Sequence, residues 1–164
     1  MNLFELFARV VLVGLGATLV MDAWLLLLRR LGVKTLDFAL VGRWAGHLAR
    51  GRLAHPAIAR AAPVRGERAL GWVVHYATGL AFAALLVAWR GPGWLADPGL
   101  LPALALGAAT VAAPLFLMQP AMGAGFAASK TPTPLRNCLR SLANHCVFGL
   151  GLYLAAHVLG ALAP

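Results

Sequence analysis

The sequence predicts an all-α integral membrane protein: four transmembrane helices in a single domain over 1–164, with a cytoplasmic amphipathic helix in its longest connection. Three observations lead there. Of the 164 residues, 61% are hydrophobic and only 12% charged, about half the charged share of a soluble domain. Four apolar runs are each close to the ~20 residues that cross a hydrocarbon core. The formal net charge of +9 is gathered in two of the connections. So small a chain cannot bury this much apolar side chain in one aqueous core. That excludes an ordinary cytosolic domain, a disordered chain and a nucleic-acid binder.

The first run, Phe7 to Leu28, is interrupted only by Arg9 and Asp22. It is too long for the apolar region of a signal peptide, and Arg29-Arg30 closes it as a stop-transfer would. The second extends from Gly71 to Trp89, the third from Leu100 to Ala128 and the fourth from Leu142 to Leu162. Pro114 and Pro120 remove backbone donors from the third span and are expected to kink it.

Orientation follows from the basic residues. Between Arg29 and Arg68 lie eight arginines and Lys34 against Asp37 and Glu67, a net +7. Lys130, Arg136 and Arg140 give the 129–140 connection +3, whereas the N-terminus and the 90–99 turn each balance to zero. Basic connections stay in the cytoplasm. Both termini are therefore expected on the other side of the membrane.

The basic 34–68 connection is more than a linker. Leu36, Leu40, Val41, Trp44, Ala45 and Leu48 recur at helical spacing, with Arg43, His47 and Arg50 on another face. Such a helix lies among the headgroups, Trp44 as anchor and the arginines toward anionic lipid. Packing against the cytoplasmic ends of the bundle is compatible with this. Pro56 is placed to open a second short helix, ended by Pro63 and Gly66. His47 and His55 are expected to be solvated.

Spans two and four share a motif, His75-x-x-x-Gly79-Leu80 and His145-x-x-x-Gly149-Leu150. Gly16-Ala-Thr-Leu-Val and Gly107-Ala-Ala-Thr-Val relate spans one and three, so a tandem αα-hairpin repeat is expected. Gly14-x-Gly16, Gly123-x-Gly125 and Gly149-x-Gly151 supply small residues where helices must approach closely. Cys138 and Cys146 are eight residues apart. On one helix that separates them by about 12 Å, too far to bridge, and they read as small packing residues.

Ionisable groups inside a bilayer are functional candidates by default. Counted from the basic ends, Asp22 is about 10 Å deep, His75 and His145 about 8 Å, and Gln119 about 15 Å. Four polar residues from four spans thus reach the cytoplasmic half of the bundle. Asp22 suits a charge or proton acceptor, the imidazoles a relay or ligand pair, and Gln119 an orienting group at the kink. The same residues, Asp22, His75 and His145 with Met118 and Met122 as soft donors, would suit a metal ion. His75 and His145 on facing helices would suit haem b. Each also has a packing role available: an ion pair for Asp22, a carbonyl bond for each His, and an i, i+4 face for the methionines. No soluble-enzyme signature is present. Glu67 beside Arg65 and Arg68 reads as a surface salt bridge.

Gly16-Ala-Thr-Leu-Val-Met-Asp22-Ala-Trp, Val41-Gly-Arg-Trp-Ala-Gly-His47, Arg65-Gly-Glu-Arg-Ala-Leu-Gly-Trp72 and His75-Tyr resemble a bacterial family of small four-helix membrane proteins. So do Met118-Gln-Pro-Ala-Met-Gly-Ala-Gly125, Ser129-Lys-Thr-Pro132, Arg140-Ser, His145 and Phe148-Gly-Leu-Gly-Leu-Tyr153. The family is a domain of unknown function in proteobacterial inner membranes. The resemblance covers nearly the whole chain and implies the topology, with no catalytic roles to carry over. Its motif residues coincide with the polar layer. The function expected is handling of a small solute, proton or metal ion at Asp22, His75, Gln119 and His145, with a homodimer making up for the small number of spans. A haem- or metal-binding redox subunit and a non-catalytic assembly partner docking through 34–68 are the alternatives.

Overall fold

The computed structural model describes residues 1–162. These form five α-helices, α1 (Leu3–Arg30), α2 (Phe38–Leu48), α3 (Glu67–Arg90), α4 (Leu100–Met122) and α5 (Pro134–Leu162). There is no strand among the described residues. All but α2 are long and apolar enough to cross a membrane.

Local chemistry sets the helix ends. The Asn2 side chain accepts from the Glu5 N–H at 2.8 Å and Asp37 from the Ala39 N–H at 2.9 Å, each satisfying a donor the first helical turn leaves open. The Glu67 carboxylate reaches back to the Val64 N–H at the start of α3. Pro134 begins α5, where a missing N–H costs nothing. The expected disturbance in the third span is a turn at Val111 followed by a π-helical turn over Pro114–Met118. The helix α4 stops at Met122, six residues short of the apolar run. Gly123 turns left-handed at φ 93°, and its N–H and that of Ala124 close back on the Pro120 and Gln119 carbonyls. The remaining apolar residues, Phe126–Ala128, form a 3₁₀ turn. Ala127 and Ala128 are themselves left-handed there, held by the Cys138 thiol on the Ala127 carbonyl and the Thr131 hydroxyl on that of Ala128.

The chain divides into two compact units. One gathers Met1–Lys34, Tyr76–Thr110 and the residues from Asn144 onward. Its core holds Val13, Ala17, Ala83, Leu86, Phe148 and Leu152, closed at one end by Trp94 and Leu95 of the 90–99 turn. Small residues set the helix spacing. A Cβ on Gly14 would lie 3.0 Å from the Leu80 backbone, one on Gly16 2.8 Å from the Ala155 side chain, and one on Gly151 2.9 Å from the Ala17 backbone. Gly107 and Gly149 face each other, a Cβ on the first lying 2.9 Å from the Cα of the second. Within this unit α1 thus touches α3 and α5, and α5 touches α4.

The other unit comprises Thr35–His75 and Val111–Ala143. Here α2 crosses the start of α3 backbone to backbone. A Cβ on Gly42 would strike the Glu67 carbonyl, and one on Gly71 the Phe38 carbonyl. Beside the crossing, Arg43 meets Glu67 in a two-pronged pair, Nε to Oε2 at 2.9 Å and Nη2 to Oε1 at 2.8 Å. Its Nη1 donates to the carbonyls of Ala59 and Ala61, each at 3.2 Å. Glu67 therefore pairs with Arg43, not with its neighbours Arg65 and Arg68. Trp44 donates to the Leu53 carbonyl at 3.0 Å.

Two expectations for this segment change. His47 and His55 are 7% and 4% exposed, buried rather than solvated, because the 49–66 chain folds back over α2. Past Pro56 there is one 3₁₀ turn, Ile58–Arg60, in place of a second helix. Arg43 and His47 are consequently turned into the segment, whereas Arg50 stays exposed.

Candidate polar site within the spans

Asp22 is on α1 four residues past Thr18 and eight past Gly14, hence on the face that α1 presents to α3. Tyr76 precedes Gly79 and Leu80 by three and four residues, on the opposing face. The Tyr76 hydroxyl donates to Asp22 Oδ2 at 2.9 Å. Thr18 is 1% exposed and gives its proton to the Gly14 carbonyl, while its Oγ1 occupies the space a side chain at Gly79 would need.

Two further polar contacts join spans in the same unit. Trp24 Nε1 donates to Asn144 Oδ1 at 2.9 Å, tying α1 to α5. His145 Nδ1 lies 2.9 Å from Thr110 Oγ1, tying α5 to α4. The Thr110 hydroxyl has one proton, and it points to the Gly107 carbonyl at 2.7 Å. Its oxygen therefore accepts from His145, so Nδ1 carries the imidazole proton and Nε2 is left as the basic nitrogen. The His145 ring lies 6.4 Å from that of Phe82, centroid to centroid. A belt of three separate side-chain hydrogen bonds thus joins α3 to α1 (Tyr76–Asp22), α1 to α5 (Trp24–Asn144) and α5 to α4 (His145–Thr110).

His75 and Gln119 belong to the other unit. The His75 ring packs 4.4 Å from Phe38 and 5.7 Å from Trp72 by ring centroids, an aromatic cluster at the α2–α3 crossing. Gln119 follows the π-helical turn, and its Oε1 is buried with no hydrogen-bond partner. Among the described residues no three His, Cys, Asp or Glu side chains are grouped as a metal ion would need.

Of the four residues predicted from depth, then, two belong to the belt. Tyr76, Thr110, Trp24 and Asn144, which complete it, were not among them. The readable signal was helical phase: Asp22 shares its face with Gly14 and Thr18, and Tyr76 shares one with Gly79 and Leu80.

The model of a family described as "Protein of unknown function (DUF2938)" matches residues 11–159. No curated protein and no solved structure matches the chain.

Proposed function

Starting from the fact that the chain belongs to the DUF2938 family of proteins of unknown function, we propose that it is a multi-pass bacterial inner-membrane protein that binds or passes a proton or small polar solute at side chains within its spans. The observation that carries this is the 2.9 Å bond from Tyr76 to Asp22. A carboxylate in a span is costly and is retained where it serves. Next to a phenol it has a partner able to give up and regain a proton. His145, with Nε2 as its basic nitrogen, is the second acceptor of the same unit. His75 and Gln119 enter by depth counted along the sequence, and for Gln119 that depth shrinks because α4 ends three residues later at Met122; neither carries the proposal.

The orientation belongs to the same reading. Arg29, Arg30, Lys34, Arg50, Arg52, Arg60, Arg65, Arg68, Lys130, Arg136 and Arg140 are all exposed, as a cytoplasmic face meeting anionic lipid requires. We read α2 as the amphipathic element of that face, Trp44 being half-buried. The tandem-repeat reading is supported by two similar contacts. Gly79 rests on Gly14 and Thr18 of α1, and Gly149 rests on Ala103 and Leu104 of α4.

The test is reconstitution. Vesicles containing the purified protein, under an imposed potential, should acidify faster than empty vesicles, as read by an internal pH-sensitive dye. Equal rates would remove the proton reading.

A further inference from the structure

Polar groups of a second kind gather in the other unit, under the 49–66 chain. His47 and His55 are both more than nine-tenths buried, with ring centroids 4.8 Å apart and planes at 58°. His47 Nε2 lies 2.9 Å from the Ala62 carbonyl. A carbonyl only accepts, so Nε2 carries the proton and Nδ1 is left as the basic nitrogen. Metal-binding histidines are typically oriented in this way, by donating the other ring N–H to a carbonyl. His55 Nε2 is buried with no hydrogen-bond partner, and Gln119 Oε1 is the other such atom among the described residues. Both belong to one unit and one locality. The His55 N–H donates to the Ala121 carbonyl at 2.8 Å, two residues along from Gln119, and Gly123 presses against the carbonyls of His55 and Pro56.

We propose that His47 Nδ1, His55 Nε2 and Gln119 Oε1 form a binding site for one divalent transition-metal ion of tetrahedral preference, zinc above all. Imidazole nitrogens suit such ions. With metal–nitrogen bonds of about 2.0 Å and a ring centre about 1.1 Å behind each nitrogen, two imidazoles on a tetrahedral ion have centroids about 5 Å apart. A linear two-coordinate ion would need about 6 Å. The observed 4.8 Å fits the tetrahedral case. Three donors leave a fourth position for an exogenous one. The site is independent of the Asp22–Tyr76 reading and shares no residue with the belt.

The test is titration of chelator-stripped protein in detergent with Zn²⁺ by calorimetry and with Co²⁺ by visible absorption. One ion per chain is expected, with the intense visible bands of tetrahedral cobalt. His55→Ala and His47→Ala should each weaken binding by about tenfold or more. Gln119→Glu keeps the fold's shape and supplies an anionic donor, so it should tighten binding; it guards against a loss caused by misfolding. Asp22→Asn should bind as the wild type does, which separates this site from one at Asp22. Absence of binding by the wild type overturns the proposal. So does an affinity unchanged in His55→Ala or not raised in Gln119→Glu, the results expected if a single water joins His55 to Gln119.

Discussion

The Tyr76 hydroxyl donates to Asp22 Oδ2 at 2.9 Å and joins α3 to α1. Side-chain hydrogen bonds between membrane helices average about 0.6 kcal/mol and reach about 1.7. Tyr76→Phe should destabilise the protein within that range, as measured by detergent-driven unfolding. A larger loss would mean that Tyr76 also fills space the phenyl ring cannot.

The Gly42–Gly71 crossing admits no side chain, because each Cβ would meet backbone carbonyl of the partner helix. Backbone cannot rotate aside as a side chain can. Gly71→Ala and Gly42→Ala should each cost at least the 1–3 kcal/mol typical of overpacking. Limited proteolysis should show the 49–66 chain opened in both variants. Gly160→Ala, which meets nothing within 4 Å, is the control.

Arg43 serves one carboxylate and the carbonyls of the chain that covers it. Only a planar fork makes all these bonds at once, and an ammonium group cannot. Arg43→Lys should therefore expose the 49–66 chain to protease nearly as fully as Arg43→Ala. Retention of wild-type protection by the lysine variant would show that charge alone holds the segment.

The proposed orientation is tested by reporters. Alkaline phosphatase fused after the last residue should be active, and a fluorescent protein fused there should be dark, because the C-terminus is expected in the periplasm. The opposite pair of results would invert the topology.

The helices were legible because the apolar runs and the prolines act locally. Phe7–Leu28 became α1 with little change, and Pro114 did disturb the third span. Its end was misplaced by six residues, because apolar character persists through Phe126 while Gly123 breaks the helix by conformation. Helical phase alone puts His47 and His55 in water, because it sees only their own helix or segment. Their burial comes from a chain folding back from 49 to 66, a contact between elements. Asp22 was found from cost alone, since a carboxylate in an apolar run stands out. Tyr76 and Asn144 are polar without being charged and do not stand out; Tyr76 is legible only through the face it shares with Gly79 and Leu80.

The most direct measurement is proton flux into vesicles carrying Asp22→Asn beside the wild type, at equal protein content and with equal stability checked in detergent. Asparagine still accepts the Tyr76 bond and cannot take up and release a proton. The account predicts flux in the wild type and its loss to the level of empty vesicles in Asp22→Asn. Flux in Asp22→Asn equal to that of the wild type would contradict it and leave the Tyr76–Asp22 bond as a packing device.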